Sequence, residues 1–149
     1  MIIHYENVII KTLCRILIPF IQLYGLYVIM HGHYSPGGGF QGGVILGASF
    51  ILLVLAYGLE EARRRFTLKL LTRLASLGLL LYSGIGVLTL LMGGKYLDYG
   101  KLPFYFLPVP KIRAMGILGI EIGVGLGVMA VMVIIFLTIA SFEPGDKND

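Results

Sequence analysis

The chain has 149 residues, of which 57% are hydrophobic and 13% charged; ordinary soluble domains carry about 25% charged residues. With a mean hydropathy of +0.88, this balance argues against a soluble globular domain and for a lipid bilayer. The net charge of +4 is modest and falls in short segments between apolar runs, not in the basic stripe of a nucleic-acid binder.

Four apolar segments are long enough to cross a hydrocarbon core of about 30 Å as helices. The first runs from Val8 to Met30, with Lys11 and Arg15 one turn apart near its start, where both can snorkel to one headgroup layer. Pro19 removes one backbone donor and is expected to kink it. Cys14, the one cysteine, lies in this run and reads as an inert buried thiol. The N-terminal stretch MIIHYENVIIKTLCRILIPF lacks an early basic region and a small-residue cleavage site, so it reads as a retained first anchor and not a signal peptide.

Residues 35–43 follow, reading SPGGGFQGG. Gly37, Gly39 and Gly42 match G-x-G-x-x-G, but the nucleotide reading needs a preceding strand and a βαβ unit, and here an apolar helix precedes it. Helix packing accounts for the glycines better. Ser35, Pro36, Gly37 and Gly38 suit a tight turn, since Pro36 fixes φ and the glycines permit positive φ. Gly39, Gly43 and Gly47, spaced by four, form a smooth stripe on which another helix can approach closely. Phe40 and Gln41 are the large side chains of the cluster. Phe40 suits a wedge against a neighbour; Gln41 suits either satisfying loop carbonyls or lining a polar path. The alternative to a simple turn is an irregular element lining an ion or water path, because such backbone survives at membrane depth only under protein or water.

The second span runs from Phe40 to Leu59 and the third from Leu70 to Met92. Between them lie Arg63, Arg64, Arg65, Lys69 and Arg73. The connection 93–113 holds three prolines and the aromatics Tyr96, Tyr99, Phe104, Tyr105 and Phe106, a composition suited to headgroup depth. The fourth span runs from Ala114 to Ser141, and its Gly116, Gly119, Gly123 and Gly127 fall on one face. The expected fold is therefore all-α, one membrane domain over residues 1–149 with four transmembrane helices. Eight basic residues fall on the side of the termini and four on the other, which favours cytoplasmic termini and an external glycine loop.

Glu121 sits about 10 Å inside the fourth span at 1.5 Å per residue. An acidic group at membrane depth costs about 2.5 kcal/mol or more at the centre and is a functional candidate by default. A carboxyl that can hold or release a proton suits proton or sodium handling; the alternative is a structural hydrogen bond to a neighbouring helix. No Lys or Arg lies mid-span to pair with it, and Arg113 is two turns away at the interface. Tyr82 and Ser83 are the in-chain partners if the third and fourth spans touch. His31 and His33, beside the glycine loop, titrate near neutral pH and suit either a proton antenna or hydrogen bonds to loop carbonyls. Two histidines at i, i+2 with no Cys, Asp or Glu nearby make a weak metal signal, so no metal site is expected. With no nucleophile–base constellation, no catalytic residue or cofactor is expected either.

The stretch HGHYSPGGGFQGGVILGASFILL resembles the signature of the B subunit of multisubunit Na⁺/H⁺ antiporters, the MnhB or Mrp-B family. Glu121-Ile-Gly-Val124 looks like that family's acidic-x-Gly-Val pattern, with Glu where Asp is common; the longer arm keeps the charge and alters the geometry. The resemblance implies a small hydrophobic subunit beside larger antiporter-like subunits related to those of respiratory complex I. It implies Na⁺ or H⁺ as cargo, and equally a place in the similar modules of archaeal membrane-bound hydrogenase and sulfur-reducing complexes. Two other classes stay open from the residues: a self-contained small proton-coupled transporter and a purely structural spacer. Small four-span exporters place their acidic residue in the first span and tend to use Trp; this chain has its carboxylate in the fourth span and no Trp.

Overall fold

The computed structural model describes residues 2–32, 34, 37–104 and 106–141, with side chains described from Val8 onward. It contains α1 (Ile2–Met30), α2 (Gly39–Tyr57), α3 (Leu59–Arg65), α4 (Leu68–Leu91), a 3₁₀ turn (Tyr99–Lys101) and α5 (Val109–Ala140). Among the described residues there is no strand. The stretches Val8–Met30, Gly39–Tyr57, Leu68–Leu91 and Val109–Ala140 are each long and apolar enough to cross a membrane. The fold is all-α with four membrane-crossing helices. The 19 residues of α2 reach about 28 Å, close to one hydrocarbon core. The 32 residues of α5 reach about 48 Å, so α5 must tilt or project.

The first helix starts at Ile2, ahead of the apolar run that opens at Val8, and two further boundaries differ from the sequence reading. The last helix begins at Val109, not Ala114, and takes in Pro110, Lys111 and Arg113. A proline in the first turn costs no hydrogen bond, because that N–H has no intrahelical partner anyway. The middle connection holds the short helix α3, set off from α2 by Gly58 at φ 92°. Its Glu60 and Glu61 stand in the first turn and its three arginines in the last, which complements the helix dipole. Arg65 pairs with Glu61 at 2.9 Å, an exposed i, i+4 bridge worth a few tenths of a kcal/mol. α1 runs unbroken through Pro19.

In space the order is α1–α2–α5–α4: α2 packs on α1 and on α5, α5 packs on α4, and α1 touches α5 lightly. Each seam passes through glycine. A Cβ on Gly42 would stand 2.8 Å from the Gly25 carbonyl of α1, one on Gly43 2.6 Å from the Gly125 carbonyl, and one on Gly123 2.9 Å from the Gly78 carbonyl. Backbones this close replace the hydrophobic drive that helices lack in lipid. The core is apolar: Val54, Ala62, Leu71, Val133 and Leu137 gather at one end of α2, α4 and α5, and Ile29, Leu46, Met129 and Ala130 gather near the other. The fully buried hydroxyls of Ser49 and Thr89 donate to carbonyls of their own helices, Leu46 at 2.6 Å and Gly86 at 2.8 Å.

Candidate functional site

The glycine loop and Glu121 meet. α1 ends at Met30, the chain turns through His31 and Gly32, and α2 starts at Gly39 alongside the middle of α5. A Cβ on Gly38 would stand 2.8 Å from Glu121 Oε1, and one on Gly32 would overlap the whole carboxyl group. Gly39 presses on the backbone of Glu121, with its Cβ position 2.8 Å from the Glu121 Cα. One turn along, Gly125 lies against Ile29 of α1 and the Gly39 carbonyl. Oε2 of Glu121 is buried. The carboxyl therefore sits in a notch walled by loop backbone, and only hydrogen at positions 32, 38 and 39 leaves it room.

The two faces of α5 have different tasks. Gly119 and Gly123 turn to α4, against Ile85 and against Gly78 and Leu81. Gly127 belongs to that face, yet its own Cβ position opens onto empty space while its backbone supports Gly78. Glu121 and Gly125 turn to α2. Along α2, Gly39, Gly43 and Gly47 meet α5, and Gly42, one residue off that stripe, meets α1.

A second layer comes from the connection 92–108. The Tyr99 ring lies on Gly116, with its Cβ and Cδ1 each 2.8 Å from a Cβ position there, and the Tyr96 ring covers Gly86. Leu97, in the left-handed region at φ 62°, is held by its N–H donating to Thr89 Oγ1 at 3.0 Å. Burial pushes the Tyr99 phenol above its ordinary value of 10.0, and the nearby Tyr82, Glu121 and Tyr96 push it further the same way. Tyr99 thus senses Glu121 from the connection that covers the loop-bearing end of α4 and α5. Arg113 reaches the same connection, its Nε 3.2 Å from the Cβ position of Gly100.

The remaining candidates are placed elsewhere. His31 is exposed, and its ring stacks on Tyr27 with centroids 4.1 Å apart. Its Nδ1 lies 3.0 Å from the Tyr27 carbonyl, which can only accept, so Nδ1 carries the proton. Gln41 is exposed, and its amide folds back over Gly37. Phe40 is exposed at the rim of an apolar groove of about 690 Å³ between α2 and α4, lined also by Val44, Gly78, Tyr82, Gly127 and Val131. His33, Ser35 and Pro36 lie outside the described residues, as does the tail 142–149. Sequence reasoning missed Gly32 and Gly78, which stand alone with no neighbouring glycine to draw notice. It read Tyr96 and Tyr99 only as interfacial aromatics.

The domain related to the MnhB subunit of Na⁺/H⁺ antiporter matches residues 9–134. Over 110 residues, 71% of this chain, the sequence is 41% identical to an uncharacterized protein of Methanocaldococcus jannaschii, and the chain spans 42% of that protein's length. Proteins of Staphylococcus haemolyticus and Staphylococcus aureus with the provisional name antiporter subunit mnhB2 are 27% identical over 135 residues, 91% of this chain and 95% of theirs.

Proposed function

Because this chain belongs to the family of domains related to the MnhB subunit of Na⁺/H⁺ antiporter, we propose that it is a small membrane subunit of a multisubunit cation/proton antiporter, or of an antiporter-like module in a respiratory complex. In this reading the whole chain forms one membrane unit with cytoplasmic termini, catalyses no reaction of its own, and works among larger membrane subunits. The observation that carries a role in translocation is the seating of the Glu121 carboxyl in the glycine notch at Gly32, Gly38 and Gly39. A spacer needs close helices but has no use for a costly carboxylate at the junction of three of them. Backbone walls hold the carboxyl in place at the loop, and the Tyr99 phenol, which senses its charge, offers a proton-bearing group. Glu121 would hold or relay a proton or bind the cation in turn, while the glycines fix its position. His31, Gln41 and Phe40, exposed at the same end, would meet neighbouring subunits or the aqueous entrance.

Deleting the gene should abolish sodium-dependent antiport in membrane vesicles, and a tagged copy should restore it and co-purify with large membrane subunits. A tagged chain that purifies alone and transports in liposomes would instead establish a self-contained transporter.

A further inference from the structure

We infer that the outward face at the start of α4 holds an anionic phospholipid, its phosphate between Lys69 and Arg73 and an acyl chain along Leu77 and Leu80. The inference asks only that the chain cross a membrane, and it stands apart from the antiport reading. Residues 59–73 carry five cations against two carboxylates. Both carboxylates stand in the first turn of α3, and Glu61 is taken by Arg65 at 2.9 Å, the one ion pair among the described residues. Lys69 and Arg73 lie four residues apart on one exposed face of α4. Like charges at that spacing repel and destabilise a helix, so the pair gains from an anion seated between them. A cleft of about 550 Å³ runs along this face, with the two cations toward one end and Leu77 and Leu80 toward the other. A second cleft adjoins it at Leu68 and Lys69 and adds Arg63 and Thr67. The Thr67 hydroxyl accepts from the Leu70 N–H at 3.3 Å, which leaves its own proton to donate.

The depths of these groups match a lipid. The 24 residues of α4 reach about 36 Å, longer than a core of about 30 Å, and the cations seat the excess at the Lys69 end. Arg73 lies about 6 Å further in. Helical side chains lean toward the helix N-terminus, which carries its guanidinium back to the layer of Lys69. Leu77 and Leu80 follow about 6 and ~10 Å deeper than Arg73, each about half exposed or more. α5 packs on the opposite side of α4, through Leu71 and Gly78, so the cleft stays open among the described residues. Charge complementarity selects the occupant. An acidic protein segment would answer the cations alone, whereas a phospholipid sets phosphate at their depth and hydrocarbon along the leucines. Phosphate oxygens take charge-assisted hydrogen bonds from both kinds of cation. The proposed orientation puts this end at the cytoplasmic leaflet, whose anionic lipids attract cations beside a membrane helix.

The test is native mass spectrometry of the full tagged chain in detergent, titrated with phosphatidylglycerol or with phosphatidylcholine. Phosphatidylglycerol should bind about thirtyfold tighter, from two cations at about fivefold each. Lys69→Gln together with Arg73→Gln should erase that preference. Lys11→Gln together with Arg15→Gln, which removes the same charge from α1, should leave it in place. Equal binding of the two lipids by the unaltered chain would overturn the inference, and that comparison needs no variant. A preference that survives the Lys69 and Arg73 exchanges, or falls as far with the Lys11 and Arg15 exchanges, would overturn it as well. Displacement of the lipid by inorganic phosphate would make this a free-anion site. A carbodiimide crosslink from Lys69 to a carboxylate of another subunit, in the intact complex, would give the cleft to protein. Each of these outcomes leaves the antiport reading untouched, since that is read from transport in vesicles.

Discussion

Gly39→Ala should damage the protein, whereas Gly127→Ala should leave it intact, although both glycines belong to stripes of small residues. A Cβ at Gly39 would stand 2.8 Å from both the Cα and the carbonyl carbon of Glu121. Ordinary carbon contacts lie at about 3.5–4.0 Å, so the start of α2 must move roughly 1 Å off α5. The obstacle is backbone and cannot rotate away. Overpacking of this kind costs about 1–3 kcal/mol, set against a gain of at most about 1 kcal/mol from replacing a helical glycine. At Gly127 nothing lies within 4 Å of the Cβ position, so only the propensity gain remains. In chains of this size 1 kcal/mol moves the melting point by roughly 2–4 °C, so Gly39→Ala should lower it by several degrees while Gly127→Ala holds or raises it. Thermal aggregation of the detergent-solubilised chain, followed by size-exclusion chromatography, reads the difference. Equal effects of the two substitutions would refute the assignment of the Glu121 notch to close backbone approach.

Three further outcomes follow from the geometry. The folded Tyr99 phenol holds its proton above the ordinary value; its contribution is therefore complete below about pH 10 and is lost as pH rises through the folded value. Tyr99→Phe should remove that alkaline loss, read as tyrosinate absorbance and as melting point against pH. Thr89→Val leaves the Leu97 N–H without its acceptor and should cost about 1–3 kcal/mol, seen as faster hydrogen exchange in residues 93–102 with α2 unaffected; unchanged exchange there would refute the anchoring role of Thr89. For orientation, in a Cys14→Ala background, Tyr34→Cys should react with an impermeant maleimide in right-side-out vesicles and Arg64→Cys only in everted ones. The reverse pattern would place the termini outside.

Much of this fold is legible from hydropathy, because lipid demands long apolar runs. The second span, read as Phe40 to Leu59, is the helix Gly39–Tyr57. The start of the last helix is less legible, since Lys111 and Arg113 interrupt the apolar run though the helix continues through them. The spacing of glycines shows that helices approach closely but not which ones. Gly43 and Gly123 look alike in sequence, yet one meets α5 and the other α4. The meeting of Glu121 with the glycine loop is invisible to periodicity for a related reason. It depends on α2 beginning halfway along a long α5, a stagger that no local pattern encodes. Tyr99 escapes notice because its neighbour Gly116 is reached only through a 17-residue connection.

The central claim is that the Glu121 carboxyl works in translocation and is not merely lodged between helices. Glu121→Gln keeps the volume and the hydrogen-bonding capacity and removes the titratable group. Antiport in everted vesicles carrying the otherwise intact complex should fall at least tenfold, or shift its pH profile, while the complex purifies in normal yield; Glu121→Asp should recover part of the activity. Full antiport with an unaltered pH profile in the Gln variant would contradict the account and make Glu121 a structural residue of a spacer subunit.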